Sequence, residues 1–250
     1  SVDPLRDIEI INLELIMADL ATVDNRLSKI ERKAMTNKDK DAIKEVDLLK
    51  RIKTALEEGN AARSVEIDEE EMALIKAFSL LTLKPMIYIA NMSDEEITDP
   101  ESNPYYQIVK QHAESENNQV VAVCAKIEEE LSSLDKEEKN MFLEELGIAQ
   151  SGLDQVIKCA YAILDLCTFL TAGSDECRAW TFKKGMKAPQ CAGVIHSDFE
   201  RGFIRAECYR FEDIDELESE AAIKDAGKMR LEGKEYIVQD GDVLHFRFNV

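Results

Sequence analysis

Ala188-Pro-Gln-Cys-Ala-Gly-Val-Ile-His196-Ser-Asp-Phe-Glu-Arg-Gly-Phe-Ile-Arg-Ala-Glu207 is the stretch on which the fold of this 250-residue chain turns. Its first half reads as a short helix near 188 to 197, and Gly202-Phe-Ile-Arg-Ala-Glu-Cys208 reads as a strand. Upstream lie Thr168-Phe-Leu-Thr171, a Gly173-Ser-Asp175 turn, Cys177-Arg-Ala-Trp-Thr-Phe182 and a Lys184-Gly185 turn. Downstream come an acidic helix around 214 to 227, then Tyr236-Ile-Val238, Asp240-Gly-Asp242 and Val243-Leu-His-Phe-Arg-Phe248. An Asp-Gly pair between apolar runs is a strong tight-turn signal. Short strands wrapped around one helix in some eighty residues suggest a β-grasp module.

The pattern changes further upstream. Met86-Ile-Tyr-Ile-Ala90 and Val120-Val-Ala-Val-Cys124 are short continuous apolar runs, each expected as a strand buried on both faces, with a helix over 106–113 between them. That is one βαβ unit of a parallel sheet. Residues 126–166 read as helices. Nearer the start, Leu13, Ile16, Leu20, Val23, Leu27 and Ile30 recur at alternating intervals of three and four, the a/d stripe of a coiled coil. After the polar break Thr36-Asn-Lys-Asp-Lys-Asp41, a second series at Ile43, Val46, Leu49, Ile52 and Leu56 ends at Gly59. Two such helices should pack antiparallel, as a hairpin burying its own seam or as a partner-binding arm. Asp68-Glu-Glu-Glu71 opens a third helix carrying Met72, Ile75, Phe78 and Leu81.

Composition excludes several classes. A chain 33% charged and 45% apolar is expected to fold, and no apolar run approaches the ~20 residues that span a bilayer. Neither a membrane association nor a secretory leader is read in it, so a cytoplasmic protein is expected. The six cysteines form no C-x-x-C pair, and Cys159 and Cys167 fall in a helical apolar pattern, so reduced, buried thiols are expected. His112, His196 and His245 show no metal-ligand spacing. His196-Ser197-Asp198 holds the residue types of a hydrolase triad, but adjacent positions cannot converge as nucleophile, base and orienter.

A formal net charge of −20 opposes general binding to phosphate backbones. Locally the sign reverses. Between 178 and 210 stand Arg178, Lys183, Lys184, Lys187, Arg201, Arg205 and Arg210, seven cations, against Asp198, Glu200 and Glu207, three anions, an excess of four. Any nucleic-acid contact is expected there. None of the ten glycines belongs to the phosphate-cradling pattern G-x-x-x-x-G-K-[ST]: Gly227-Lys228 is followed by Met229, and Gly233-Lys234 by Glu235.

Five ordered matches, Leu80-Leu-Thr-Leu-Lys-Pro85, Ala179-Trp-Thr-Phe182, Ala188-Pro-Gln190, Gly193-Val-Ile-His-Ser-Asp-Phe-Glu200 and Asp240-Gly-Asp-Val243, together with Asp3-Pro-Leu-Arg-Asp-Ile-Glu-Ile-Ile-Asn-Leu-Glu-Leu15, resemble the YchF / Obg-like ATPase family over essentially the whole chain. The resemblance implies a helical coiled-coil arm over 1–83, the later part of a P-loop G domain over 84–166, and a C-terminal β-grasp TGS domain over 167–250. It also implies a ribosome-associated hydrolase of ATP, or of GTP, acting in translation and stress responses. The phosphate-binding segment and the Mg2+ site are then expected outside these residues, with this chain alone inert and without catalytic or metal-binding residues of its own. A monomer is the favoured state.

The family's base-reading motif falls at Asn91-Met-Ser-Asp94 and its second base loop at Cys124-Ala-Lys126. Met92 stands where GTP-binding relatives carry Lys, as the family leads one to expect. Asp94 stands where the family usually has Glu, and Cys124 where Ser is commoner. A carboxylate accepts hydrogen bonds and donates none, so Asp94 leaves the choice between ATP and GTP open. With the ribosome as the implied partner, the candidate RNA contacts are cations of the local excess noted above, Arg178, Lys183, Lys184, Lys187, Arg201 and Arg205. The other reading is a non-enzymatic ribosome- or protein-binding module made of the arm and the β-grasp domain.

Overall fold

The structure is a computed structural model that describes residues 2–37, 39–173 and 176–249. It divides into two compact units, Ser1–Cys159 and Ala160–Val250.

In the first unit, α1 (Pro4–Asn37) and α2 (Lys40–Glu57) form an antiparallel hairpin. Asp39 caps α2, its carboxylate accepting from the backbone N–H groups of Asp41 and Ala42. Gly59, at φ +82, follows the end of α2 in a conformation that costs other residues strain. The seam buries Ile16, Val23, Leu27 and Ile30 against Leu48, Leu49, Ile52 and Leu56. The stripe is shorter than its spacing suggests, for Leu13 and Ile43 are exposed. One charge pair lies inside the seam, where Arg26 holds the nearly buried Glu45 through two hydrogen bonds of 2.5 and 2.9 Å. The central part of the polar break, Lys38, lies outside the described residues.

Asp19, on α1, is 2% exposed and accepts from Leu81 N, Thr82 N and Thr82 Oγ1 at 2.8, 2.7 and 2.7 Å. It pins the segment entering the sheet to the hairpin. The third helix, α3 (Glu69–Ile75), starts at the expected acidic turn under an Asp68 capping box but stops short of the expected apolar series. A 3-10 turn, Lys76–Phe78, follows, and Ser79 at φ +51 ends helical geometry, so Leu81 is exposed rather than packed on a helix.

Strands β1 (Ile87–Asn91) and β2 (Gln119–Val123) pair in parallel, Asn91 level with Val123, with α4 (Pro104–Ser115) between them in sequence. The expectation of two-sided burial does not hold, because Ile89 on β1 is 56% exposed. Then come α5 (Ala125–Ser132), α6 (Lys136–Glu145) and α7 (Gly152–Ile163). Cys124, Ile127, Leu131 and Leu143 form a small core beneath α5.

In the second unit, β3 (Leu166–Ala172) and β4 (Cys177–Lys183) are followed by α8 (Ala188–Ile195), α9 (Ser197–Arg201) and β5 (Phe203–Arg210). Next come α10 (Phe211–Leu217), α11 (Glu220–Asp225), β6 (Arg230–Glu232) and β7 (Asp242–Phe248). The five strands lie in the order β4-β3-β7-β5-β6, with β3 parallel to β7 and the other neighbours antiparallel. Phe169, Phe182, Ala206, Leu244 and Phe246 meet Ala188, Cys191 and Ala192 of α8 on one face. Tyr209 and Val243 meet Ile223 of α11 on the other.

Gly241, at φ +78, forms the expected turn into β7, and the Asp240 carboxylate accepts from Thr168 N at 2.7 Å. The acidic helix is two short helices rather than one. Tyr236–Val238 is not a regular strand: Ile237 makes a single bridge to Lys187, and the edge strand is β6 instead. The Gly173-Ser-Asp175 turn falls mostly on residues outside those described. Cys167 lies in β3, not in a helix, and Cys177 is exposed, so uniform thiol burial does not hold. Burial and nearby negative charge push the Cys191 and Cys208 thiols up to about 12. Among the described residues no helix is long and apolar enough to cross a membrane.

Candidate functional site

The end of β1 and the start of α5 adjoin because β1 and β2 are in parallel register, so both strands deliver their C-terminal loops to one edge. In open α/β sheets that edge is where ligands bind. Met92 N donates to Val123 O at 2.8 Å, extending the ladder by one residue. This buries the Met92 side chain to 9% exposure and turns it away from the role of an exposed contact. Asn91 Oδ1 accepts from Ala125 N at 3.2 Å and ties the two loops together.

Asp94 and Lys126 are joined by an ion pair of 2.6 Å between side chains 48% and 65% exposed. Each holds the other charged: the Lys126 hydrogen bond lowers the Asp94 carboxyl below its usual range, and the Asp94 hydrogen bond raises the Lys126 ammonium. Cys124 precedes α5 with its side chain buried in the small core, so its thiol is not at the loop surface. Of the six residues read for this site, Asn91, Asp94, Ala125 and Lys126 therefore face one another, while Met92 and Cys124 contribute backbone and packing.

Sequence reasoning missed Glu96. Its carboxylate accepts from Ser93 Oγ at 2.8 Å, Ser93 N at 3.3 Å and Asn103 Nδ2 at 2.9 Å, clamping the loop after Asn91 to the cap of α4. The Ser93-to-Glu96 spacing is that of a capping box and carries this signal. A cavity of about 580 Å³ lies nearby, lined by Ile89, Val123, Leu131, Leu143, Leu153 and Val156 among others, and none of the six residues lines it. Among the described residues no group of three or more His, Cys, Asp or Glu is arranged to hold a metal ion.

The six cations read as RNA-contact candidates do not form one patch. Lys183, Lys184 and Lys187 cluster where β4 turns into α8, at the level of Leu166 on β3. Arg205 lies opposite Arg247 near the end of β7, which runs parallel to β3, so it sits toward the other end of the sheet. Lys187 pairs with Glu235 at 2.5 Å, Arg201 pairs with Asp198, and Arg178 lies 4.2 Å above the Trp180 ring. Among the described residues Lys183, Lys184 and Arg205 have no ion-pair partner. Trp180 is braced from below by Phe169 and donates to Thr171 Oγ1 at 3.0 Å. His196 Nδ1 accepts from Asp198 N at 3.2 Å as the cap of α9, an arrangement without triad geometry.

A family profile described as "YchF-GTPase_C: Protein of unknown function (DUF933)" matches residues 166–249. The chain is 57% identical over 249 residues to the ribosome-binding ATPase YchF of Bacillus subtilis, covering all of this chain and 68% of that protein. It is 42% identical over 253 residues to Obg-like ATPase 1 of Gallus gallus, again over its full length and over 63% of that protein. The solved structure of the Schizosaccharomyces pombe YchF GTPase superposes with a TM-score of 0.83 at 33% identity, covering 99% of this chain and 67% of the other. A GTP-binding protein from Pyrococcus horikoshii OT3 shares the fold at a TM-score of 0.61 and 17% identity.

Proposed function

Because the chain belongs to the YchF / Obg-like ATPase family, we propose that it is the base-reading and ribosome-contacting portion of a cytoplasmic nucleotide hydrolase. Residues 84–166 are read as part of its nucleotide domain, 1–83 as its helical arm, and 167–250 as its TGS domain of the β-grasp type. The nucleotide is ATP, with GTP the competing substrate. The observation that carries this reading is the tie between the loops after β1 and β2, Asn91 Oδ1 to Ala125 N at 3.2 Å and Lys126 Nζ to Asp94 Oδ2 at 2.6 Å.

The donor set fits a nucleobase. The exposed edge offers the Asn91 side-chain amide, a carboxylate and an ammonium, beside a loop held by Glu96. Such groups bind and orient a base. The 250 residues contain no phosphate-cradling glycine pattern, and no acidic cluster among the described residues suits Mg2+, so no phosphoryl-transfer step is assigned to them. The 250 residues alone are expected to show no ATP hydrolysis above background.

In the complete protein, Asn91→Ala is expected to raise the KM for ATP about tenfold, the effect of losing a hydrogen-bonded base contact. Steady-state kinetics check this, and an unaltered KM removes Asn91 from the base site. Ribosome binding is assigned first to the unpaired Lys183 and Lys184. Replacing both by Ala is expected to weaken ribosome association and reduce the slope of its logarithmic salt dependence by about 1 to 2. Arg205→Ala, at the other end of the sheet, separates the two groups of cations: an unchanged slope for both variants sends the ribosomal contact elsewhere.

A further inference from the structure

Glu128 lies one turn into α5, and its half-buried carboxylate reaches out of that helix. Its Oε1 accepts from Gly152 N at 2.6 Å and its Oε2 from Leu153 N at 3.3 Å. These are the first two N–H groups of α7, which have no acceptor inside their own helix. The hydroxyl of Ser151, the residue before α7, serves the third, accepting from Asp154 N at 3.0 Å. The start of α7 is thus capped from another helix, by a negative charge at the positive end of its dipole.

Gly152 is what lets the pieces come this close. A Cβ there would lie 3.0 Å from Glu128 Oε1 and 3.0 Å from both methyl carbons of Val123. Val123 ends β2, level with Asn91 across the ladder. The first residue of α7 therefore sits against both the strand that enters the Cys124–Lys126 loop and the helix that leaves it.

We propose that Glu128 is a positioning residue for nucleotide binding: through α7 it fixes the first turn of α5, and with it Ala125 and Lys126, against the loop that carries Asn91. The reason lies in α5 itself. With eight residues it is too short to keep its place by its own hydrogen bonding. Ile127 and Leu131 are buried, but apolar contact is non-directional and leaves the helix free to turn or slide on its core. The two bonds to α7 are directional and remove that freedom. Without them the Ala125 N to Asn91 Oδ1 bond of 3.2 Å has nothing to hold its far side in register.

The inference rests on the base site proposed above, and its test separates the two. ATP hydrolysis is measured on the complete protein, well below its melting temperature, in wild type, Glu128→Ala, Glu128→Asp, Glu128→Gln and Asn91→Ala forms, with hydrogen exchange at the Ala125 amide. Glu128→Ala is expected to raise the KM for ATP about fivefold with kcat within twofold, the pattern of lost binding rather than lost chemistry, and to lower protection at Ala125. Glu128→Asp keeps the charge but not the reach, and is expected to raise KM about threefold even if the Ala form fails to fold. Glu128→Gln keeps an acceptor for Gly152 N and is expected to stay within twofold of wild type. If Asn91→Ala raises KM while the Ala and Asp forms of Glu128 only lower the melting temperature, Glu128 is a helix cap alone and the base site stands. A Gln form as impaired as the Ala form also overturns the proposal, since the bond to Gly152 is then not what matters. If Asn91→Ala and every Glu128 form leave KM unaltered, the base site falls and the inference with it.

Discussion

Phe169→Ala is expected to destabilise the second unit by about 3–5 kcal/mol, the usual range for truncating a fully enclosed aromatic side chain. Phe169 is completely buried, and its ring lies 5.8 Å from those of Phe182 and Phe246 and 6.5 Å from Trp180, centroid to centroid. It occupies β3, in the interior of the five-stranded sheet, so its neighbours come from β4 and β7 and cannot all close inward. The loss combines three effects: apolar area returned to water, aromatic contacts removed, and a cavity that the sheet cannot collapse. Urea denaturation followed by Trp180 fluorescence reads it directly, since Trp180 stacks on the deleted ring. A shift below 1 kcal/mol means that Phe169 is not the centre of this core.

The second large effect is expected at Asp19→Ala. The buried carboxylate accepts three hydrogen bonds, from the backbone N–H groups of Leu81 and Thr82 and from Thr82 Oγ1, and the two at Thr82 are buried. Removing it strands those donors, each at about 1–3 kcal/mol, so a total near 3–5 kcal/mol follows. Thr82 also ties the loop after α2, its Oγ1 accepting from Ala62 N at 2.9 Å, so the damage spreads to the entry into β1. Hydrogen exchange distinguishes this from a uniform loss. The Leu81 and Thr82 amides should lose protection by several orders of magnitude, whereas those of β7 should not change.

Both residues were hidden in the sequence for the same reason. Asp19 is one acid in a charged helix, and only its partners 62 and 63 residues away make it an anchor. Phe169 belongs to a run that pattern alone identifies as a strand, but its place in the interior of the sheet comes from the parallel pairing of β3 with the last strand. Local patterns were legible. The seam from Ile16 to Leu56, the βαβ unit, the acidic start of the third helix at 68–71 and the turn at Gly241 all follow from spacing, charge and turn chemistry.

What failed depended on distant contacts. Leu13 and Ile43 obey the heptad spacing yet are about half exposed, and Ile89 sits in an apolar run yet is 56% exposed. Tyr236 lies outside any strand: its hydroxyl donates to the buried Asp242 at 2.7 Å, and its segment bridges Lys187 through Ile237. At the candidate site, the residue types were visible in sequence, and the resemblance supplied their roles. The burial of Met92, the Glu96 clamp and the Asp94–Lys126 pair were not visible, because each is set by side-chain geometry across two loops.

The most direct measurement is a crystal structure of the complete protein with a non-hydrolysable ATP analogue and Mg2+. The account predicts the base at the edge formed by Asn91, Ala125 and the Asp94–Lys126 pair, the edge where the two loops are tied together. Adenine placed instead in the cavity between Ile89, Val123 and Leu153, or bound away from both loops, would contradict it.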